Sequence, residues 1–330
     1  MINDFFKKFL NKEAIIDDYG LKTNFDFTEE INKISTQKSL SLLENKVLIK
    51  CFGEDAENFL NTQFTNDVKN MGNNNVMLSG YCNPKGRIIS IFYIFQLDNV
   101  FYLYTTLDTA EPLLKKLNMY KMMSKVEFEI QDDILFGISA KQESRFLSDH
   151  ILDNNKAKKS GESIIFKIGD NQVIILAKSK DLGRIINIES SNILGYKSFE
   201  FLDIQSIIPF INKSQIESFT PQMISLDILN GVSFSKGCYP GQEIVARTHY
   251  LGEAKKILCK IKFSSKKAIL IDDKITSIED NKNAGELLNM VKINEDTYNS
   301  LAVLRKDMLI KNLIINDASV EIVEQVKKNA

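Results

Sequence analysis

Residues 234–256 read FSKGCYPGQEIVARTHYLGEAKK. Gly237 and the pair Pro240-Gly241 punctuate a loop, because glycine frees the backbone and proline fixes φ. From residue 242 to 250 the chain favours helix, with Glu243 and Arg247 one turn apart at the spacing of a favourable ion pair. Cys238 therefore stands just before a helix amino terminus, two residues after Lys236. The helix dipole and a neighbouring ammonium both favour a thiolate at such a place, which makes Cys238 the candidate catalytic or ligand-contacting residue.

Working outward, residues 47–52 form a short β run, followed by GEDAENFLNTQFTNDV, where Ala56, Phe59, Leu60 and Phe64 recur at helical spacing. Two apolar runs, 76–82 and 87–96, are separated by Asn83-Pro84-Lys85-Gly86, the chemistry of a hairpin turn. Residues 101–105 predict a third strand, Asp108 a helix cap for a helix reaching about Tyr120, and 126–130 a further strand. Strands at 134–139, 163–168 and 173–177, with helices at 142–150 and from Asp181, predict a small α/β subdomain. Its lysine-rich stretch 154–159 reads as an exposed loop. A helix is expected over 199–208, and the short β-like runs beyond Ile257 suggest a terminal barrel. No internal repeat is visible.

The chain has 330 residues, enough for two or three cores, and its 44% hydrophobic and 26% charged residues are those of a globular protein. Lys plus Arg total 42 against 43 for Asp plus Glu, so no net basic field steers the chain onto nucleic acid or an anionic membrane. Cys51, Cys82, Cys238 and Cys259 form no CxxC pair, and His150 and His249 lie far apart, so no metal site is expected. Reduced thiols fit a cytoplasmic protein. The amino terminus is broken by charges, and the longest apolar run, 88–95, is interrupted by Ser90, so no membrane span is expected.

The string KGCYPGQE followed by Arg247 resembles the signature KGCYxGQExxxR of the YgfZ family of folate-binding proteins, which includes mitochondrial relatives that assist iron-sulfur assembly. On this resemblance the signature residues are Lys236, Gly237, Cys238, Tyr239, Gly241, Gln242, Glu243 and Arg247. The likeness runs from about Val47 to the last β module. FGEDAENFLNTQFTNDV (52–68) resembles the family's opening strand and helix, CNPKGRI (82–88) its hairpin, and FTPQMISLDILNGVSF (219–234) the run into the signature. AGELLNMVKI (284–293) and SLAVLRKD (300–307) resemble the closing barrel of the wider aminomethyltransferase superfamily.

The resemblance implies an α+β, aminomethyltransferase-like multidomain fold around a central channel. Its expected parts are a discontinuous folate-type core at 1–130 and 195–255, an α/β subdomain at 131–194 and a C-terminal β-barrel at 256–330. The implied ligand is tetrahydrofolate or a derivative. Such a site needs aromatic or apolar walls, an amide or carboxylate at the pterin edge and cations for the glutamate tail. By resemblance Phe199 supplies a wall and Gln205 stands where transferases carry Glu; Arg87 is the candidate for the tail, with capping of the hairpin as its alternative. Ile207 stands where Gly is common. The transferases place an acidic residue after the hairpin glycine, but this chain reads GRIISIF, with Ser90 or Ile91 in its place. That absence argues against glycine-cleavage chemistry.

The expected function is that of a folate-binding accessory protein supporting synthesis or repair of iron-sulfur clusters in client enzymes, with tRNA thiolation affected indirectly. Its partners would be those enzymes or assembly factors, with no direct nucleic acid. The alternative is a folate-dependent aminomethyltransferase or demethylase. The residues leave open whether Cys238 is nucleophile, transient cluster ligand or redox sensor.

Overall fold

The structure, a computed structural model, describes residues 14–17, 20–23, 26–142, 152–178, 180 and 192–327. An antiparallel pair, β1 (Ala14–Asp17) and β2 (Gly20–Thr23), precedes α1 (Phe27–Thr36) and β3 (Ser39–Leu42). Asp26 caps α1 by accepting the Glu29 N–H at 2.9 Å. Then come β4 (Lys46–Phe52), α2 (Ala56–Gln63), β5 (Met77–Cys82), β6 (Ile88–Leu97), β7 (Val100–Thr106), α3 (Leu107–Tyr120) and β8 (Glu127–Ile130). These strands form one antiparallel sheet in the order β5-β6-β7-β4-β8. Strand β6 is apolar almost throughout because both of its faces are covered. Ile89, Phe92 and Ile94 pack with α2 and α3, while Ile91, Tyr93 and Phe95 enter a central cluster on the other face.

The second sheet takes β9 (Ile134–Ser139), β10 (Ala157–Ser160), β11 (Ser163–Ile168), β12 (Gln172–Ala177) and β13 (Asn192–Leu194). Its order is β10-β11-β12-β9-β3-β13, so β3 from the start of the chain lies within it, parallel to β13. The two sheets meet across the central cluster, where the Phe95 and Phe166 ring centroids are 4.8 Å apart. Helix α4 (Tyr196–Gln205) follows, and after a long connection α5 (Gln242–Leu251). The chain closes in a six-stranded barrel of β14 (Lys256–Ser264), β15 (Lys274–Ser277), β16 (Asn283–Lys292), β17 (Thr297–Arg305), β18 (Leu313–Ile315) and β19 (Ala318–Gln325). It has an apolar interior of its own and also lends Leu258, Leu288 and Val303 to the central cluster.

The expected α+β architecture with a terminal barrel is present, with local differences. Asp108 does not cap α3. Thr106 occupies that position, and the Asp108 carboxylate accepts the Lys213 N–H at 3.2 Å instead. The lysine-rich stretch is not wholly a loop: its end enters β10, with Ala157 and Ser160 buried and Lys159 turned outward to Asp98 at 2.6 Å. Alternation across a strand lets lysines sit between buried residues. The helices expected at 142–150 and from Asp181, and His150, lie outside the described residues. Among the described residues no helix is long and apolar enough to cross a membrane, and no group of His, Cys, Asp and Glu is arranged to hold a metal.

Candidate functional site

The hairpin β5–β6 turns because Asn83 organises it: its side-chain oxygen accepts the Lys85 and Arg87 N–H groups at 2.9 and 3.0 Å. The loop before α5 seats directly on this turn. Gly241 has φ 82°, and a Cβ there would lie 2.5 Å from the Asn83 carbonyl oxygen and 2.6 Å from Gly86 Cα. Gly86 has φ 67°, and its own missing Cβ leaves room for Ile244 and the Gly241 carbonyl. The two glycines let loop and hairpin approach at backbone distance.

A second anchor is Lys236, whose buried ammonium donates to the carbonyls of Asn61, Phe64 (2.7 Å) and Asn66 (3.0 Å). These carbonyls lie at the end of α2 and just beyond it, where acceptors lack intrahelical donors and the helix dipole favours a cation. Burial nevertheless pushes the Lys236 pKa down to about 8. The expected support of Cys238 by this ammonium is thus replaced by a structural role, with the charge committed to three carbonyls. Tyr239 is buried, with the Lys236 nitrogen 5.3 Å from its ring centroid and no hydrogen-bond partner for its hydroxyl among the described residues. Between the two lies Cys238, exposed, whereas burial pushes Cys51, Cys82 and Cys259 up to about 12. The loop thus presents the exposed cysteine on a firmly tied backbone.

Gly237 is exposed beside it, and Gln242 is half-buried, its N–H donating to the Tyr239 carbonyl at 3.1 Å. Glu243 and Arg247 are both exposed and form no ion pair among the described residues. His249 is half-buried and stacked on Phe234 with centroids 3.6 Å apart.

The loop's anchor continues to a cavity of ≈ 410 Å³ where the two sheets meet the connections after α4 and before α5. Asn66, which receives Lys236, donates its amide to the carbonyls of Asn230 (2.7 Å) and Leu78 (2.8 Å), and both residues line the cavity. Asp67 holds Asn70, another lining residue, through its N–H (3.2 Å) and side-chain amide (2.8 Å). Tyr93, Met71 and Ile168 give the walls an apolar and partly aromatic character, and Asn155 and Ser206 add polar atoms. Ile207 lines the same space with φ 55°, a left-handed conformation that is strained for a β-branched side chain and easy for glycine.

Gln205 closes α4, half-buried, and its carbonyl faces the Lys260 ammonium at 3.5 Å. Phe199 is buried in the central cluster, its ring so close to Gly137 that a Cβ there would come within 2.3 Å. Arg87 donates to the Ser218 carbonyl at 2.8 Å and pins the connection after α4 to the hairpin. The fold therefore brings Ile207 and the segment after Gln205 to the cavity, and gives Phe199 and Arg87 packing and tethering contacts. Ser90 faces α3, its hydroxyl 3.0 Å from those of Thr105 and Thr109, so Ile91 is the residue turned to the central cluster. Neither supplies a carboxylate.

A buried polar group absent from the sequence reading sits between α4, the end of β7 and the barrel. Lys46 and Asp203 pair at 3.0 Å with side chains 2% and 4% exposed, Gln172 donates to Asp203 at 2.6 Å, and the Lys46 ammonium lies 3.5 Å from the Phe210 ring centroid. Beside them Asn45 donates to Glu200 at 2.7 Å, and burial pushes the Glu200 carboxyl up to about 7. The available signal was the pair of charges set within each of two otherwise apolar stretches, Lys46 and Lys50 in KVLIKCF and Glu200 and Asp203 in FEFLDIQ.

No protein-family profile matches the chain. It is 32% identical over 295 residues to the tRNA-modifying protein YgfZ of Buchnera aphidicola subsp. Schizaphis graminum, covering 85% of this chain and 91% of that one. It is 28% identical over 273 residues to the tRNA-modifying protein YgfZ of Aliivibrio fischeri strain MJ11, covering 82% and 86%. Among solved structures it is similar to the glycine cleavage system aminomethyltransferase T of Bartonella henselae, with TM-score 0.74 at 10% identity over 92% of this chain and 90% of that one. The fold is thus that of an aminomethyltransferase, and the chain belongs to the YgfZ family.

Proposed function

We propose that this chain is a cytoplasmic folate-binding accessory protein that supports synthesis or repair of iron-sulfur clusters in client enzymes, with Cys238 as its working thiol. The observation that carries the reading is the exposed Cys238 on a loop tied by Lys236 to Asn66, which in turn holds Asn230 at the wall of the cavity beside Tyr93. A reduced folate fits that cavity in chemistry: Tyr93 and the aliphatic residues suit the flat ring system, and the amides of Asn70 and Asn155 suit a pterin edge. The bound folate would supply a one-carbon or redox-active ring. The chain's own residues would orient it, and the thiol sits on a loop linked to the cavity wall through Lys236 and Asn66. Phe199, Gln205 and Arg87 are proposed to act through the scaffold: Phe199 packs in the central cluster, Gln205 precedes the cavity residues Ser206 and Ile207, and Arg87 ties the Ser218 carbonyl to the hairpin.

The names of the relatives support a link to tRNA modification. The balance of 42 basic and 43 acidic residues favours an indirect link, through a cluster enzyme that performs it, over direct RNA binding. The test is the activity of a cluster-dependent tRNA-thiolating enzyme in cells lacking this chain. Restoration by the wild type but not by Cys238→Ala supports the reading, and equal restoration by both overturns the role of the thiol.

A further inference from the structure

A separate cavity of ≈ 340 Å³ opens where the end of α5 meets residues 222–228 and the start of β14, and it shares no lining residue with the cavity beside Tyr93. Gln222 lines it and is 6% exposed. Its side-chain nitrogen donates to the Val245 carbonyl at 2.7 Å, which fixes the amide and leaves Oε1 as a buried acceptor that meets no donor among the described residues. Asp227 lines the same cavity, and its Oδ1 is likewise buried without a donor among the described residues. Two such acceptors on residues that line one cavity are costly to leave unmet, and a primary ammonium, with three donors and a positive charge to set against Asp227, has the chemistry to serve both.

The rest of the lining carries one further carboxylate, Glu253, and three lysines. Lys256, Lys306 and Lys327 reach the cavity. Lys256 is paired with Glu286 at 2.7 Å and Lys306 with Glu253, whereas Lys327 is exposed and forms no ion pair among the described residues. Lys327 can therefore take an anionic group. Ile228, Ile257 and Val326 contribute apolar surface. We propose that this cavity binds a free aliphatic α-amino acid, with its ammonium on Gln222 Oε1 and Asp227 Oδ1, its carboxylate at Lys327 and its side chain against Ile228, Ile257 and Val326. The proposal is independent of the folate reading.

The test is calorimetric titration of L-leucine into the full chain, beside 4-methylpentanoate, which lacks the ammonium, and isopentylamine, which lacks the carboxylate. The expected result is saturable leucine binding, weakened about tenfold or more for each analogue and for Asp227→Asn, and about threefold or more for the surface variant Lys327→Ala. No saturable leucine binding, or analogues and Lys327→Ala indistinguishable from leucine and wild type, overturns it. If Asp227→Asn does not fold, the two analogues on the wild type and Lys327→Ala decide.

Discussion

Gly86 and Gly241 touch backbone to backbone: a Cβ on Gly241 would come within 2.6 Å of the Gly86 nitrogen. That contact joins the hairpin of the first sheet to the loop that carries Cys238, two segments far apart in sequence, and makes the thiol's position a property of the fold.

Gly241→Ala should therefore displace the loop. The substitution adds a side chain at φ 82° and a collision with the Asn83 carbonyl. A loss of about 2–4 kcal/mol is expected in chemical denaturation, with faster alkylation of Cys238 as its loop loosens. A variant as stable and as slowly alkylated as wild type would show that the loop can move without cost.

Lys236 predicts a rise of stability with pH. Burial lowers its pKa from 10.5 to about 8, so between those values the unfolded chain holds a proton that the folded chain has released. The cost of the buried charge is fully present below about pH 8 and is relieved as pH rises toward 10.5. The melting temperature of the wild type should rise across that window relative to Lys236→Met, and parallel curves would contradict it.

Glu200 predicts the reverse at lower pH. Its carboxyl is raised from 4.5 to about 7, mainly by burial, so the folded chain keeps a proton that the unfolded chain has lost. Its contribution is fully present below about 4.5 and is lost as pH rises through about 7. Glu200→Gln should flatten the melting temperature over this range, by a few degrees relative to wild type.

Much of the scaffold was legible locally. The Asn-Pro-Lys-Gly turn between two apolar runs, the helical spacing of Ala56, Phe59 and Leu60, and the glycines before α5 each carry their structure in a few neighbouring residues. The site's anchors were not legible in the same way. Lys46 and Asp203 are 157 positions apart, and Lys236 binds backbone carbonyls, which leave no mark on the sequence. Phe199 read as a wall on the family resemblance alone, and its seat against Gly137 in the neighbouring sheet leaves no mark on the sequence around it. Only the register of β6 tells that Ser90 faces α3 and Ile91 the centre.

Ile207 offers a test of the cavity's shape. Ile207→Gly removes apolar packing but relieves the left-handed strain at φ 55°. The net destabilisation should stay within about 1 kcal/mol, far below the roughly 2–5 kcal/mol usual for truncating a large aliphatic side chain. Chemical denaturation measures it, and a loss in the usual range would mean that the backbone there is unstrained.

The most direct test of the central claim is calorimetric titration of tetrahydrofolate into the wild type, Tyr93→Leu and Cys238→Ala, each checked for intact folding. Saturable binding to the wild type, weakened about tenfold or more in Tyr93→Leu and unchanged in Cys238→Ala, is the predicted result, with cavity and thiol acting as separate parts of one device. Absence of binding to the wild type, or full-strength binding by Tyr93→Leu, would contradict the assignment of folate to this cavity.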